Sequence, residues 1–164
     1  MSLGYNTLPA SYCFAFINKL AEIIESEILP LPSDFIDGAS EFDSSVVTYL
    51  PTNYFKKKRI AVFLTDWDSE KTSDMMGRTI TVRALVRIYY EKFPNKDDET
   101  SNLLKITNLM VNYFHETETM TDANGLIWLN IDVPSVRLDK IFIPTGHVGS
   151  EFDITATAEI RYAT

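Results

Sequence analysis

The chain contains 164 residues, of which 45% are hydrophobic and 23% charged, as expected for one globular domain covering residues 1–164. Its net charge of −8 argues against broad adhesion to nucleic acid or to an anionic membrane, so we expect neither as a partner. One cysteine and two histidines exclude an internal disulfide framework and the usual zinc ligand sets, and no apolar run is long enough to cross a bilayer.

An amphipathic helix is predicted over residues 11–27, because apolar side chains recur there at steps of three and four residues. Pro9 lies just before this segment, and Pro30 and Pro32 close it. The apolar stripe is broader than a coiled-coil seam, so we expect the helix to lie on a sheet. Its members are Tyr12, Phe14, Phe16, Ile17, Leu20, Ile23, Ile24 and Ile28. Residues 30–45 are predicted to form a loop.

Two short β-branched runs follow, at residues 46–50 and 59–64, and each is predicted to be a strand. A longer strand is predicted over residues 79–90, where apolar and polar positions alternate and one face can be buried. That face consists of Ile80, Val82, Ala84, Val86, Ile88 and Tyr90. The polar segment 65–78 is predicted to be the extended tip of a hairpin.

The second half of the chain predicts another helix and further strands. The helix begins at Asp98 or Thr100 and ends between His115 and Glu118. The predicted strands are residues 126–133, 140–143 and 151–163, with turns at residues 122–125 and 144–146. This order describes an α+β fold: one domain with a largely antiparallel sheet of about four to six strands and two helices packed on one face.

The polar faces of the two long strands permit two interpretations. Arg83 and Arg87 on one strand would meet Glu159 on the other if the strands are antiparallel neighbours. The first interpretation is a solvated sheet face with cross-strand ion pairs. The second is a surface completed by another subunit, to which Arg161 on the same face would also belong.

The predicted hairpin tip contains large apolar side chains in an otherwise polar segment. They are Trp67, Met75 and Met76. Methionine and aromatic residues at loop tips often form adaptable contact surfaces, although the same side chains can also tuck against their own domain. Both interpretations remain open at this stage.

The sequence predicts no catalytic residues, no cofactor and no metal ligand set. His115 and His147 have no cysteine partner or helical metal-binding spacing, and Cys13 lies in an apolar helical stretch, where a buried, unreactive thiol is expected. Asp66 and Asp68 resemble a carboxylate site for a divalent cation, but the glycine and final glutamate of a calcium loop are missing. We therefore expect a hydrated turn and no enzyme.

The chain resembles the tail-terminator and tail-completion proteins of long-tailed bacteriophages. The resemblance covers residues 11–162 and consists of a leading helix, a hairpin with a long tip, a second helix after an acidic break and an alternating closing strand, residues 152–162. It implies a structural virion protein, assembled in the host cytoplasm, that forms a ring, often a hexamer, at the head-proximal end of the tail tube. Its partners would be itself, the tail-tube protein and the head–tail connector.

By this resemblance the hairpin tip would face the ring or tube, and the long sheet would make subunit contacts. The candidate interface residues are Trp67, Met75, Met76, Arg83, Arg87, Glu159 and Arg161. Two alternatives stay open: another head–tail joining or baseplate component, and a small ligand-binding or metal-binding module that uses the loop from Asp66 to Asp68.

Overall fold

The computed structural model of the chain describes residues 9–29, 31–32, 34–35, 42–43, 45–49, 58–91, 97–142 and 147–161. Within these residues it contains two long helices and a six-stranded sheet in which every strand pair is antiparallel. The prediction of an α+β fold with a largely antiparallel sheet is therefore confirmed.

Both predicted helices are present. Helix α1 spans Pro9–Ile23 and continues as a single π-helical turn over Ile24–Ile28, and helix α2 spans Asp97–His115. The predicted stripe of α1 is buried except for Phe14, which is 57% exposed and does not belong to the core. Phe16 on α1 and Phe114 on α2 are fully shielded from solvent. Burial of these stripes against the sheet fixes the helices, because short helices gain most of their stability from tertiary packing.

The strands are β1 (Arg59–Lys71), β2 (Gly77–Glu91), β3 (Met120–Thr121), β4 (Ile127–Asp132), β5 (Val136–Phe142) and β6 (His147–Arg161). They lie in the order β1-β2-β6-β4-β3, and β5 also pairs with β6. Because β2 occupies one side of β6, strands β4 and β5 follow each other along its other side, interrupted at Pro134.

One face of the sheet carries the main core, and both helices pack on it. Alternate residues of β2 and β6 point into this core, where the ring of Phe16 contacts the ring of Trp128 at 4.8 Å between centroids. The indole of Trp128 donates a hydrogen bond of 3.0 Å to buried Asp122, which also accepts from the backbone of the β3–β4 turn. We call this side the helix face and the opposite side the outer face.

The hairpin tip is shorter than the predicted segment 65–78. Strand β1 continues to Lys71 and β2 begins at Gly77, so the connecting turn contains only residues 72–76. Polar residues in 65–71 indicated a loop, but Asp66, Asp68 and Glu70 are one face of a strand that is exposed on that side. A bulge at residue 65 reverses the alternation along β1, so even-numbered residues face the core before the bulge and the outer side after it.

Three other boundaries differ from prediction. Residues 46–50 do not form a strand in the described part; Val47 makes only an isolated parallel bridge to Ala61. Strand β5 begins at Val136 and β6 begins at His147, each four residues before the predicted start. A side chain at Gly149 would overlap the carbonyl of Ile88, because its Cβ would lie 1.7 Å from that oxygen. The glycine therefore reflects close strand pairing. The predicted turn at 144–146 and residues 162–163 lie outside the described residues.

Candidate interaction surface

The predicted interface residues divide among three parts of the hairpin and sheet. Arg83, Arg87, Glu159 and Arg161 lie on the outer face, because each pairs in register with other residues of that face. Trp67 pairs with buried Val82 and therefore lies on the helix face. Met75 and Met76 lie in the hairpin turn. The structure thus places the candidates on both faces of the sheet and in the hairpin turn, and not in a single patch.

A charged network crosses the outer face from β2 to β5. Glu151 on β6 is buried and accepts hydrogen bonds from Arg87 Nε at 2.8 Å and from Arg137 Nε at 2.9 Å. Arg137 also donates to Asp153 at 2.9 Å. The guanidinium of Arg87 lies 4.7 Å from the ring centroid of Phe142, which packs in a small second core. This network fastens β5 to the sheet.

The expected contact of Arg83 and Arg87 with Glu159 is wrong, although β2 and β6 are antiparallel neighbours as predicted. The strands pair Glu159 with Thr79, whereas Arg87 lies opposite Glu151. Arg83 pairs instead with the neighbouring strand β1, where it contacts both carboxylates of the predicted metal loop.

Those two carboxylates are paired within the sheet. Arg83 donates from Nε to Asp66 and from its terminal nitrogen to Asp68, at 2.6 Å for the second bond. Charge-assisted bonds from one guanidinium hold both side chains on the outer face. The guanidinium also opposes the approach of a cation, so this geometry lends no support to the metal-binding alternative.

The hairpin turn is fastened to the end of β6. Arg161 donates to Asp74 and also pairs with Glu159. Hydrogen bonds from the Thr72 hydroxyl, the Met76 backbone and Arg161 hold the pKa of Asp74 well below its usual range. These bonds order the turn that presents the two methionines.

Met75 and Met76 project from this ordered turn into solvent. Met75 has a φ of 60°, a left-handed conformation that is unfavourable for a side chain with Cβ, and it is 63% exposed. Of the two interpretations of the apolar tip, the structure supports exposure for both methionines. Trp67 is also exposed, although less so, with 37% of its surface accessible.

Further exposed apolar side chains lie along β4 and β5 and were not predicted from the sequence. They are Ile127, Leu129, Val136 and Leu138. They occupy both faces at this edge, because Leu129 pairs with Thr157 of the outer face and Val136 pairs with Phe152 of the helix face. The sequence of residues 126–133 could have predicted this exposure. Apolar side chains occur there at both odd-numbered and even-numbered positions, and one of these two sets must point away from the core. These residues border the side of the sheet opposite β1.

The other residues considered for a chemical role are Cys13, His115 and His147. Burial raises the pKa of the Cys13 thiol to about 11, which favours the unreactive protonated form. His115 is the exposed last residue of α2, and the side chain of His147 lies outside the described set. A groove of about 370 Å³ lies between α1 and the β3–β4 turn, lined by Phe14, Asn18 and Asn124 among others. None of the predicted interface residues borders it.

No protein-family model and no curated protein matches the chain. Within the described ranges, neither helix is long and apolar enough to cross a membrane. The same residues include no group of three or more His, Cys, Asp or Glu side chains placed to hold a metal ion. The exposed surfaces of the hairpin and the sheet are therefore the features from which a function can be inferred.

Proposed function

We propose that the chain is a structural phage virion protein of the tail-terminator type. In this proposal it self-associates into a ring that caps the head-proximal end of the tail tube and joins the tube to the head connector. It acts by contact alone, without an enzymatic step or a cofactor, and is assembled in the host cytoplasm before it enters the virion.

The observation that carries the proposal is the distribution of exposed apolar side chains at the two sides of the sheet. One group lies on the β1–β2 hairpin, at Trp67, Met75 and Met76, and the other lies along β4 and β5. Rings form by heterologous contacts, in which one patch of a subunit meets a different patch on the next. A chain with two unlike apolar patches on opposite sides meets that requirement.

The arrangement of charge supports the same proposal. Identical copies with a net charge of −8 repel each other unless local contacts offset the repulsion. On the outer face, Arg83, Arg87 and Arg137 are each bonded to carboxylates of neighbouring strands. Internal pairing reduces the charge that this face presents to a neighbouring copy.

Electron microscopy of the protein mixed with phage tail tubes tests the proposal. We expect added density at one tube end, rings in the protein alone, and a matching oligomer by native mass spectrometry. Density at the opposite, baseplate end would favour the baseplate alternative. Bare tube ends together with a monomeric protein at all concentrations would refute the proposal.

A further inference from the structure

Two strand edges of the sheet are open on opposite sides. Residues 65–71 of β1 pair with β2 on one side, and the isolated bridges that reach the other side of β1 stop at Ala61. Strand β5 pairs with β6 on one side, and its other side has no strand partner within the described residues. Unpaired backbone N–H and C=O groups on such edges are templates for another strand.

The two edges match in length and direction. Strand β5 contains seven residues, and the open part of β1 contains the same number. Because β1, β2, β6 and β5 are successively antiparallel, β1 and β5 run in opposite directions. Strand β5 lies level with the start of β1, because Val136 is aligned through Phe152 and Val86 with Val62. A second copy in the same orientation, shifted along the strands by about seven residues, would therefore bring β5 against residues 65–71 and continue the sheet with another antiparallel pair.

The apolar side chains of the two edges lie on the same face. Trp67 belongs to the helix face through its pairing with Val82. Val136 belongs to that face through its pairing with Phe152. If the sheet continues between copies, Trp67 of one copy lies on the side that carries Val136 of the next, where cross-strand apolar contacts stabilise pairing.

The charged side chains of the edges are complementary on the other face. Asp66, Asp68 and Glu70 point to the outer face from β1, where Arg83 pairs with the two aspartates. Arg137 points to the same face from β5, where it pairs with Glu151 and Asp153 of its own copy. A two-fold pair of β1 edges would set the acidic rows against each other, and a two-fold pair of β5 edges would bring the Arg137 side chains together. Like charges directly opposite destabilise a strand pair, so the heterologous arrangement is favoured.

We propose that residues 65–71 of one copy pair antiparallel with β5 of the next copy, so that the sheet runs continuously around the assembly. The partner that fits the open β5 edge is thus a second copy of this chain. This inference rests on the proposed function only in requiring self-association, and it names the two edges that meet.

Cross-linking between differently labelled copies tests the pairing. One preparation carries Lys71→Cys, on the open edge of β1, and another carries Leu138→Cys on β5; both side chains are exposed. The native Cys13 is buried and does not compete. A bismaleimide with a reach of roughly 10 Å tolerates a shift of one step in register. In the matched control, a preparation carrying Phe14→Cys, at an exposed position on α1, is used in place of one of the two cysteine preparations.

The expected result is a cross-linked dimer only when the Lys71→Cys and Leu138→Cys preparations are mixed. A single chain carrying both changes should give a ladder of higher oligomers. Dimers formed as readily within each separate preparation would show two-fold pairing and overturn the inference. Oligomers by native mass spectrometry without the mixed cross-link would overturn it too, while leaving the proposed function standing. A strictly monomeric protein with bare tube ends would refute both.

A charge reversal provides a second measurement that does not depend on labelling. Glu70→Lys places a cation opposite Arg137 of the next copy and should weaken self-association by about fivefold. Glu118→Lys makes the same change in net charge on the exposed segment after α2 and should leave the dissociation constant within about twofold. Equal weakening by both variants in sedimentation velocity would contradict the proposed edge.

Discussion

Replacing Glu151 by glutamine tests whether the outer-face network holds β5 in the sheet. The carboxylate is 6% exposed and accepts hydrogen bonds from Arg87 at 2.8 Å and from Arg137 at 2.9 Å. Glu151→Gln preserves the shape of the side chain but leaves two guanidinium groups facing a neutral amide. A hydrogen bond to a charged group contributes about 1.5–3 kcal/mol, and both arginines retain some contact with water. We therefore expect the free energy of unfolding to fall by about 2 kcal/mol.

Urea denaturation at pH 7 measures this loss, with Glu159→Gln as the matched control. Glu159 is exposed, and within the described residues its ion pair is with Arg161, two residues along the same strand, so its replacement should cost less than about 0.5 kcal/mol. If both variants lost the same stability, the reasoning that burial and double pairing make Glu151 important would be refuted.

The same network predicts a pH dependence. Burial alone would raise the pKa of Glu151, but hydrogen bonds from Arg87 and Arg137 outweigh it and hold the pKa below its ordinary value of 4.5. A carboxyl group whose pKa is lowered by folding stabilises the protein above its unfolded-state pKa, and this contribution disappears as the pH falls through the folded-state value. The stability difference between wild type and Glu151→Gln should therefore be constant above about pH 5.5 and shrink on acidification below it.

Three further predictions concern the turns and the thiol. Asp122→Ala removes the acceptor of the Trp128 indole and should lower the free energy of unfolding by about 2 kcal/mol, with a red shift of tryptophan emission; an unchanged urea midpoint would contradict this. At pH 8 the Cys13 thiol, with a pKa of about 11, should react with an aromatic disulfide reagent roughly a hundredfold more slowly than free cysteine. Unfolding in urea should restore the rate of reaction to that of free cysteine. Rapid labelling of the native protein would show that the thiol is not protected. Met75→Gly should raise the free energy of unfolding by about 0.5–1 kcal/mol, because φ at Met75 is 60°, whereas Met76→Gly should not raise it. If urea denaturation showed Met76→Gly to be the more stable variant, the turn would not be strained at Met75.

The elements that were predicted correctly have strong periodicity. Helices α1 and α2 and the alternation of β2 followed from apolar spacing, because one face of each element is buried in a common core. The extension of β1 was missed because Asp66 and Asp68 indicated a loop. Their spacing, with Glu70 as the third member, fits an exposed strand face equally well, and only the cross-strand partner Arg83 distinguishes the two.

The register of the strands could not be predicted from the sequence. Arg87, Glu151 and Glu159 all lie on the outer face, so the face alone does not choose the partner. The choice depends on where β6 begins, and the close packing of Gly149 against Ile88 fixes that position. A shift of β6 by two residues would change the ion pairs between β6 and its neighbours while keeping the same side chains on the buried face.

The pairing of β2 with β6 also determines how the molecule would carry a mechanical load. Each strand contains 15 residues, and they remain in register over almost their full length of about 50 Å. A force along the strands acts on all of their hydrogen bonds at once, whereas a force across them opens the bonds one after another. Resistance to such a pull is governed by the rate of unfolding. The strand direction therefore sets the axis along which an assembly of this chain would bear tension best.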